Sequence, residues 1–551
     1  MTRRLSHWGW GWEDRFPDQA TRKMFAQQVR LFGGFDELEL REPKPLEDAT
    51  LPAPSVEVKD KWLADIATTA AHDRASRCYG RAYRDIARGF EGDFAAAPDV
   101  VLKPVDEQQV KIALEWASEN DIAVVPYGGG TSVVSGVEVT ERAGFRGVAC
   151  LDLRGLDRVL EVDPLSSSAR IQAGATGPRL EEQLRDHGLT LRFFPQSFEL
   201  STLGGWIATR AGGHFATLQT HIDDLVQSTR MVTPRGVFET RRLPGSGAGP
   251  SPDRLVLGSE GTLGVITEAW VRVRPRPIWR ASANVRFANW TDCVEATREI
   301  AQSGLHPSNC RVLDKREALL NRVATDGTHV LLLGFESADH EVNASMERAL
   351  DIVQAHRGQC PDGPTYKKRP DSAGRRVRRS SGGDDASERW RQAFLDAPYI
   401  VNSMVSLGVI ADTFETAVTW DRFEALHRNV IADVRDAMRR VCGKGIITCR
   451  FTHVYPDGPA PYFTFVAPAK RGWALSQWAE LKAAASDAIL AHGGTITHHH
   501  AVGRMHRPWY EKQRPELYGD VLSAVKATLD PAGVLNPGVL VAAPRAPRAE
   551  G

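Results

Sequence analysis

Cysteine is scarce in this chain, and its distribution excludes two classes of stabilised domain. The 551 residues contain only seven cysteines, an odd number. They are scattered, and no two of them stand in a C-x-x-C arrangement. A disulfide framework or a cysteine zinc site is therefore not expected, and the pattern is typical of a reducing compartment.

The chain also lacks an excess of charge and any long apolar run. Its 69 Lys and Arg residues balance 69 Asp and Glu residues, whereas nucleic-acid binders usually carry a basic surplus. No window has the uninterrupted apolar length of a membrane span. The first residues, MTRRLSHWGW, lack the apolar stretch of a secretory signal, and the last three are not a peroxisomal signal. We therefore predict a cytoplasmic protein that binds no nucleic acid.

What the chain does have is length and an alternation of strand and helix patterns. Its 551 residues exceed one typical core, so two or more packed domains are expected. Polar helical stretches with Pro-rich breaks predict an N-terminal helical extension over residues 1–95. Alternating strands and amphipathic helices predict an α+β nucleotide-binding domain over 96–275 and a second, α/β domain over 276–515, followed by a C-terminal segment at 516–551. The polar stretch 371–387 predicts a mobile surface loop.

The sharpest motif is a run of three glycines that follows a predicted strand. Because Gly128, Gly129 and Gly130 have no Cβ atoms, backbone N–H groups can close on a pyrophosphate there. Thr131 and Ser132 add hydroxyl donors. The loop is not a Walker loop, because no Gly-Lys-Ser/Thr follows, and it lacks the G-x-G-x-x-G spacing of a Rossmann turn. Taken alone, it is as readily explained as a plain structural turn.

Further small residues follow this loop at the ends of predicted strands. Such residues suit the close approach of the backbone to a long, flat cofactor. The candidate cofactor-binding residues are Pro126, Tyr127, Gly128, Gly129, Gly130, Thr131, Ser132, Pro195, Ser197, Thr202, Gly204, Gly205, Thr209, Glu260, Gly261, Gly264, Val265 and Ile266.

The second motif is a histidine triplet, His498, His499 and His500. Consecutive side chains cannot all face one direction, so at least one of them lines something else. Imidazoles change charge near neutral pH, so they can bind a phosphate or move a proton, while an exposed polar patch is the alternative. A metal site is not expected, because no Cys, Asp or Glu flanks the triplet at ligand spacing.

Upstream of the triplet, two strand patterns over 449–453 and 461–465 are joined by a turn. Because side chains alternate along a strand, Tyr462 lies on the opposite face from Phe463 and Phe465. Tyr462 is a candidate catalytic residue, although a tyrosine in an apolar strand more often packs in a core.

Together these motifs resemble those of the vanillyl-alcohol-oxidase superfamily of FAD-dependent enzymes. The similarity covers the P-x-G-G-G-T loop at 126–131, L-G-G-W at 203–206, G-S-E-G-T-L-G at 258–264 and D-P-x-G-x-L-N-P-G at 530–538. The resemblance implies FAD as cofactor and an α+β fold, in which a two-subdomain PCMH-type FAD-binding domain carries an α/β cap domain for the substrate. The glycine loop holds no histidine or cysteine, so the FAD is expected to be non-covalent.

Within that superfamily the chain most resembles the alkyldihydroxyacetonephosphate synthase family. The resemblance rests on the triplet after a Tyr-Phe-x-Phe strand, and on W-G-W-G at 8–11, I-D-D-L-V at 222–226 and V-T-P-R-G at 232–236. It implies an enzyme of ether-lipid synthesis that exchanges the acyl group of acyl-dihydroxyacetone phosphate for a long-chain alcohol, without net oxidation. It also implies that Tyr462 and the triplet are catalytic, with Arg311 at the flavin–substrate side.

Two positions depart from the pattern of this family. Val401 stands where the family usually carries a catalytically important arginine. Either another cation compensates, with Arg450 as the candidate, or the substrate lacks the expected anionic group. His214 also lies in a stretch that differs from the family, and we expect it on the substrate side, close to the flavin edge.

These departures keep two alternatives open. One is an FAD-dependent oxidase or dehydrogenase of an alcohol or 2-hydroxy acid, and the other is a flavin-binding protein without turnover. The expected partner is a small-molecule or lipid substrate, and a homodimer is also expected. A lipid substrate predicts an apolar surface patch for peripheral contact with a membrane, rather than a spanning helix.

Overall fold

The computed structural model of the protein describes residues 3–35, 38–140, 142, 144–368 and 386–542. The predicted mobile loop at 371–387 lies, up to residue 385, outside these residues. The α-helices of the described residues are α1 Gln19–Gly33, α2 Lys61–Ala64, α3 Ala71–Ser76, α4 Tyr83–Phe90, α5 Glu107–Glu119, α6 Gly177–Arg185, α7 Leu203–Thr209, α8 Asp253–Val256, α9 Trp290–Gln302, α10 Lys315–Leu320, α11 Asn343–Ala355, α12 Ala386–Ser406, α13 Trp420–Cys442, α14 Ala474–Ala491, α15 Arg507–Gln513 and α16 Glu516–Leu529. The strands are β1 Ala67–Thr68, β2 Val100–Leu102, β3 Ile122–Tyr127, β4 Gly147–Asp152, β5 Val159–Asp163, β6 Ser168–Gln172, β7 Leu189–Thr190, β8 Val226–Thr233, β9 Gly236–Glu239, β10 Val265–Arg272, β11 Arg274–Pro275, β12 Trp279–Phe287, β13 Asn309–Leu313, β14 His329–Ser337, β15 Thr365–Lys368, β16 Val409–Glu415, β17 Ile446–Val454 and β18 Pro459–Pro468.

The first part of the fold contains a parallel sheet that ends at the glycine loop. Its order is β1-β2-β4-β3, in which β2, β4 and β3 are parallel and β1 is antiparallel. Helix α5 buries Val110, Ala113 and Leu114 against the apolar strands. The loop at 128–132 follows β3 directly, so it stands at the carboxyl end of a parallel strand, where open α/β sheets bind their ligands.

An antiparallel sheet completes this part, with the order β5-β6-β10-β8-β9. Helix α7 packs against β10 and β6, and Trp206 of this helix is buried in the same core as Ile171 and Ile266. The two sheets therefore hold the glycine loop and the start of α7 on one rigid support.

The second part of the fold is a seven-stranded antiparallel sheet with the order β15-β12-β14-β13-β17-β18-β16. Strands β17 and β18 form the predicted hairpin. On one face, Phe463 and Phe465 are buried in a core that includes residues of α13 and α14. The alternation along β18 directs Tyr462 to the opposite face, as predicted.

The two ends of the described chain join these parts together. The N-terminal segment holds the predicted helices, but it also supplies β1 to the parallel sheet. The backbone N–H of Trp10 donates to the Asn402 side chain of α12 at 2.8 Å. Near the other end, Leu535 forms a parallel bridge with Val124 of β3, and the buried Lys526 ammonium donates to two backbone carbonyls and to Asp530.

The fold class that the sequence predicts, α+β, is confirmed. The predicted boundaries at residues 95, 275 and 515 stay predictions. In the part of the chain that the structure describes, no helix is both long enough and apolar enough to cross a bilayer.

Candidate active site

One cavity of about 470 Å³ lies between the glycine loop and the seven-stranded sheet. Its wall contains most of the predicted cofactor-binding residues, namely Pro126, Tyr127, Gly128, Gly129, Gly130, Thr131, Ser132, Pro195, Ser197, Thr202, Gly204, Gly205, Thr209, Glu260, Gly261, Gly264 and Ile266. It also contains Arg311, Arg450, Tyr462, His499 and His500. The structure therefore brings together two groups of residues that are far apart in the sequence.

The glycine loop has no room for side chains. A Cβ on Gly129 would lie 2.1 Å from the Leu200 carbonyl oxygen, and one on Gly130 would lie 1.9 Å from the Tyr127 hydroxyl. Gly130 also has a φ of 63°, in the left-handed region that favours glycine. The loop is thus a bare backbone cradle at the cavity wall, and it fits the pyrophosphate of FAD.

The small residues of the neighbouring segments also lie close to other parts of the protein. A Cβ on Gly204 would lie 2.7 Å from the Cβ of Ala173, and one on Gly264 would lie 2.5 Å from the side chain of Met231. These glycines line the cavity, but the packing of the protein against itself already requires them. The protein's own packing thus limits residue size at these positions, as it does at Gly129 and Gly130, and their role in cofactor binding stays a prediction.

The histidine triplet is held in place by a buried carboxylate, Glu415 of β16, which is 2% exposed. Its oxygens accept the backbone N–H groups of His498, His499 and His500 at 2.7, 3.1 and 3.0 Å. They also accept the Thr497 hydroxyl at 2.6 Å. Burial opposes the negative charge, but the imidazoles and hydrogen bonds around it hold the pKa of Glu415 well below its usual range. The carboxylate therefore stays ionised and fixes the loop.

A second buried carboxylate fixes the other end of the same loop. Glu260 accepts the backbone N–H groups of Val502 and Gly503 at 2.9 and 2.8 Å. Burial raises the pKa of Glu260 to about 7. Since Glu260 also lines the cavity, the loop at 497–503 is tied both to the flavin side and to the seven-stranded sheet.

The imidazoles at the cavity are neutral at physiological pH. Burial lowers the pKa of His499 to about 3 and that of His500 to about 4, although Glu415 opposes the shift. His453 of β17 lines the same wall, and burial lowers its pKa well below the usual range. A neutral imidazole has a nitrogen lone pair, so these side chains are able to accept protons.

Tyr462 lies beside the triplet, with its ring centroid 6.0 Å from that of His499 and 5.4 Å from that of His500. Its hydroxyl donates to Oγ1 of Thr413 at 2.9 Å. Burial raises the pKa of Tyr462, although the guanidinium of Arg450, 4.0 Å from the ring centroid, opposes this shift. The phenol therefore remains protonated and acts as a hydrogen-bond donor.

The two predicted arginines differ in their surroundings. Nη1 of Arg450 donates to Glu317 at 2.8 Å, and both side chains are buried, so Glu317 balances this charge. Nη2 of Arg311 donates to the His214 carbonyl at 3.3 Å. Burial, followed by repulsion from Arg450, lowers the pKa of Arg311 to about 9, which leaves it charged at neutral pH. Val401 lies on the same wall and contributes no charge.

Three predicted site residues do not line the cavity. Val265 packs into the core around the parallel sheet, because side chains alternate along β10 and its neighbours face the cavity instead. His214 is buried against two phenylalanine rings, with centroids 4.9 and 4.4 Å away. His498 turns its ring behind the wall, toward His221 and Tyr455.

Three residues of the site were missing from the predicted set, namely Glu415, His453 and His221. Glu415 ends an apolar strand pattern, and an acidic residue in such a strand is a signal for a buried, hydrogen-bonded carboxylate. His221 and His453 give no local signal, because each comes from a segment remote from the triplet and reaches it only through the fold.

The prediction that the protein holds no metal stays a prediction. One ring nitrogen from each of His453, His498 and His499 lies within 4.8 Å of the others, which is close enough to share a cation. Both ring nitrogens of His498 already have hydrogen-bond partners, so an ion would compete with those bonds.

The Glu415 carboxylate yields a stability prediction. Glu415→Gln keeps the shape of the side chain but points an amide NH₂ at groups that are themselves donors. We expect the free energy of unfolding, measured by urea denaturation, to fall by about 2–4 kcal/mol. Glu424→Gln, on the exposed face of α13, is the matched control. A loss no greater than that of the control would contradict this account of the loop.

Comparison with known protein families agrees with this two-part site. Residues 98–241 match the family described as FAD binding domain. Residues 276–540 match the family described as FAD linked oxidases, C-terminal domain. The cofactor expected from the sequence, FAD, is thus confirmed.

The fold is similar to the folds of solved structures. A structure of alkyldihydroxyacetonephosphate synthase has a TM-score of 0.78 at 24% identity, and the match covers 97% of this chain and 98% of the other. A structure of p-cresol methylhydroxylase with substrate bound has a TM-score of 0.66 at 13% identity, with 96% and 98% of the two chains covered. At these identities the similarity concerns the fold alone.

Curated relatives are similar over most of the sequence. The alkyldihydroxyacetonephosphate synthase of Caenorhabditis elegans is 30% identical over 487 residues, which are 86% of this chain and 80% of the relative. That of Dictyostelium discoideum is 30% identical over 504 residues, which are 88% and 80%. Glycolate oxidase subunit GlcD of Bacillus subtilis (strain 168) is 25% identical over 459 residues, which are 82% and 90%. The chain therefore belongs to the alkyldihydroxyacetonephosphate synthase family.

Proposed function

We propose that this protein exchanges the acyl group of an acyl-dihydroxyacetone phosphate for a long-chain alcohol. The bond between C1 and the ester oxygen breaks, the acyl group leaves as a carboxylate, and the alcohol oxygen bonds to C1 while its proton is released. Nothing is oxidised or reduced overall. The observation that carries the proposal is that neutral imidazoles, a protonated phenol and the flavin loop line one cavity.

The cofactor would lie along the flavin side of this cavity. The bare backbone at 128–130, with the hydroxyls of Thr131, Ser132 and Thr202, would hold it. Among the described residues, the wall contains no cysteine but does contain His453, His499 and His500, so the non-covalent attachment stays a prediction. When bound, FAD supplies a ring system that accepts electron density from the deprotonated substrate.

The chain's own residues divide the proton chemistry between them. The neutral imidazoles of His499 and His500 are the candidates to accept the proton from C1, because both rings line the cavity and each has a nitrogen lone pair. The phenol of Tyr462, which its raised pKa keeps protonated, would turn its one hydrogen from Thr413 to an oxygen of the substrate. Arg311 would attract the phosphate, because it lines the cavity and stays charged at neutral pH.

The same wall has an apolar part that suits an alkyl chain. Phe25, Leu320, Ile400 and Met404 contribute to it, together with Val401 at the position of the family arginine. A hydrocarbon chain gains about 0.8 kcal/mol for each methylene group that it buries in such surroundings. This apolar lining supports a lipid substrate rather than a small hydroxy acid.

Val401 is also the observation that favours a second candidate function. Without the family arginine, and with Arg450 paired to Glu317, this part of the wall lacks the expected cation for a phosphate. An FAD-dependent oxidase or dehydrogenase of an alcohol or 2-hydroxy acid would not need it. The similarity to a glycolate oxidase subunit agrees with that candidate.

We further propose peripheral contact with a membrane. Met24 and Leu31 of α1 are 58% and 79% exposed, and the same helix carries Phe25 of the cavity wall. Leu320 and Ile400, which also line the cavity, are 48% and 41% exposed. Exposed apolar residues around such a wall suit a lipid surface that delivers the substrate. A homodimer and a cytoplasmic location stay predictions.

Mass spectrometry of reaction products tests the proposed function. The FAD-loaded protein would be given palmitoyl-dihydroxyacetone phosphate and hexadecanol, with and without oxygen. We expect the alkyl ether and free palmitate in both atmospheres, because the exchange consumes no oxidant. Absence of ether in both would contradict the proposal, and bleaching of the flavin by alcohols or hydroxy acids would then support the oxidoreductase.

The Tyr462→Phe variant tests the role of the phenol. The phenyl ring preserves the contacts with Arg450 and the triplet, so FAD content, read from the visible spectrum, should be unchanged. We expect turnover to fall by about a hundredfold or more, because the donor is lost. Tyr518→Phe, at an exposed position, is the control. A near-normal rate in Tyr462→Phe would place the donor elsewhere.

Sedimentation with phosphatidylcholine liposomes tests the membrane contact. The protein is expected to pellet with the vesicles, and replacement of both Met24 and Leu31 by Ser should shift it to the supernatant. Leu165→Ser, at a 96% exposed position remote from the cavity wall, is the control. A wild-type protein that stays wholly in the supernatant would contradict the proposed contact.

A further inference from the structure

We propose that His499, His498 and His221 form a proton relay between the cavity and the protein surface. The inference rests on the proposed function, in which a proton leaves C1 of a buried substrate and a proton must return to it. The cavity end of the relay is His499, which lines the wall. The outer end is the half-buried His221, beside Arg210, whose side chain is 55% exposed.

Three short contacts between hydrogen-bonding atoms connect the ends. Nδ1 of His499 lies 3.0 Å from Nδ1 of His498, and Nε2 of His498 lies 3.2 Å from Nε2 of His221. Nδ1 of His221 then lies 2.9 Å from the carbonyl oxygen of Arg210. Each distance is that of a hydrogen bond, so the three rings form a continuous chain.

The partners at both ends determine which nitrogens carry hydrogen. A carbonyl oxygen can only accept, so Nδ1 of His221 carries its hydrogen and Nε2 carries the lone pair. At the other end, the negative charge of Glu415, 3.5 Å from Nδ1 of His499, favours a hydrogen on that nitrogen, and this hydrogen can donate to Nδ1 of His498 at 3.0 Å. Nδ1 of His499 therefore carries a hydrogen, and Nε2 of this ring has the lone pair.

His498 in the middle is left with one tautomer that suits both neighbours. Its Nδ1 must accept from His499, and its Nε2 must donate to His221. In the opposite tautomer, Nδ1 of His498 and Nδ1 of His499 would both carry a hydrogen. Nε2 of His498 and Nε2 of His221 would both carry a lone pair. The Tyr455 hydroxyl, 2.7 Å from Nε2 of His498, competes with His221 for this hydrogen, and it can accept it while it donates its own hydrogen to Thr220 at 3.1 Å.

The relay moves one proton without charging the rings permanently. His499 accepts the proton at Nε2 and passes its Nδ1 hydrogen to His498. His498 passes its Nε2 hydrogen to His221, whose Nδ1 hydrogen leaves the Arg210 carbonyl and passes to solvent water. Each ring ends with the single hydrogen with which it began. Because C1 regains a proton in the product, the reverse transfer resets all three tautomers in every turnover.

The surroundings of the three histidine rings favour transfer of the proton over its retention on one ring. Burial holds the pKa of His498 well below its usual range and that of His499 at about 3. A ring that binds a proton so weakly passes it on. His453, with its ring centroid 4.9 Å from that of His498, donates from Nε2 to the Gly213 carbonyl and stands beside the chain rather than in it.

The His221→Asn variant tests the relay through a readout that a structural role would not change. The FAD-loaded protein would be given palmitoyl-dihydroxyacetone phosphate in D₂O, and deuterium at C1 and ether would both be measured. We expect both rates to fall by about a hundredfold in a bulky buffer, with FAD content and KM unchanged, and to recover when free imidazole is added. His187→Asn, at an exposed position, is the control.

The outcomes separate the relay from its alternatives. Unchanged rates in His221→Asn, or a fall that imidazole does not reverse, would overturn the relay. Tyr455→Phe should keep its rates, and a loss confined to this variant would place the exit at Tyr455 and overturn the path through His221.

Nitrogen NMR of the protein with ¹⁵N-labelled histidine tests the relay independently of turnover. We expect His221 to carry its hydrogen on Nδ1 and His498 on Nε2, and the opposite tautomers would overturn the relay even in an active enzyme. If the wild type forms no ether but shows the expected tautomers, the proposed function fails while the hydrogen-bonded chain stands.

Discussion

The site depends on the buried carboxylate of Glu415, which binds the loop that carries the histidine triplet. Three backbone N–H groups and the Thr497 hydroxyl converge on it, so the loop at 497–500 has little freedom to adopt another path. Because Glu415 fixes the backbone of the triplet, the three consecutive rings must point in different directions. His499 and His500 reach the cavity, while His498 turns toward His221. One anion thus determines which imidazoles face the cavity.

Burial gives the same site its protonation states. The removal of water disfavours charge on every group, so the imidazoles lose their protons and the phenol of Tyr462 keeps its own. Charges persist at Glu415 and in the pair of Arg450 and Glu317, where the fold supplies partners, and Arg311 also stays charged at neutral pH. The result is a set of neutral acceptors and donors beside a flavin site, which suits proton transfer without a net change of charge.

Local patterns predicted the parts of this arrangement that local physics controls. The glycine loop follows from its missing Cβ atoms, and the orientation of Tyr462 follows from alternation along a strand. The same alternation turns Val265 into the core, which shows that a residue within a motif need not share its function. His453 and His221 reach the triplet only through strand pairing and loop packing over long distances in the sequence, so no window of residues could reveal them.

The bridge between Leu535 and Val124 has a consequence for how the protein is made. Strand β3 is the edge of the parallel sheet, and it precedes the cofactor loop directly. A ribosome releases this edge long before it releases the segment around Leu535 that covers it. During that interval the nascent chain presents an open strand edge, where other chains can pair. The cofactor domain is therefore finished last, although it is started early, and FAD present during synthesis would favour its correct closure.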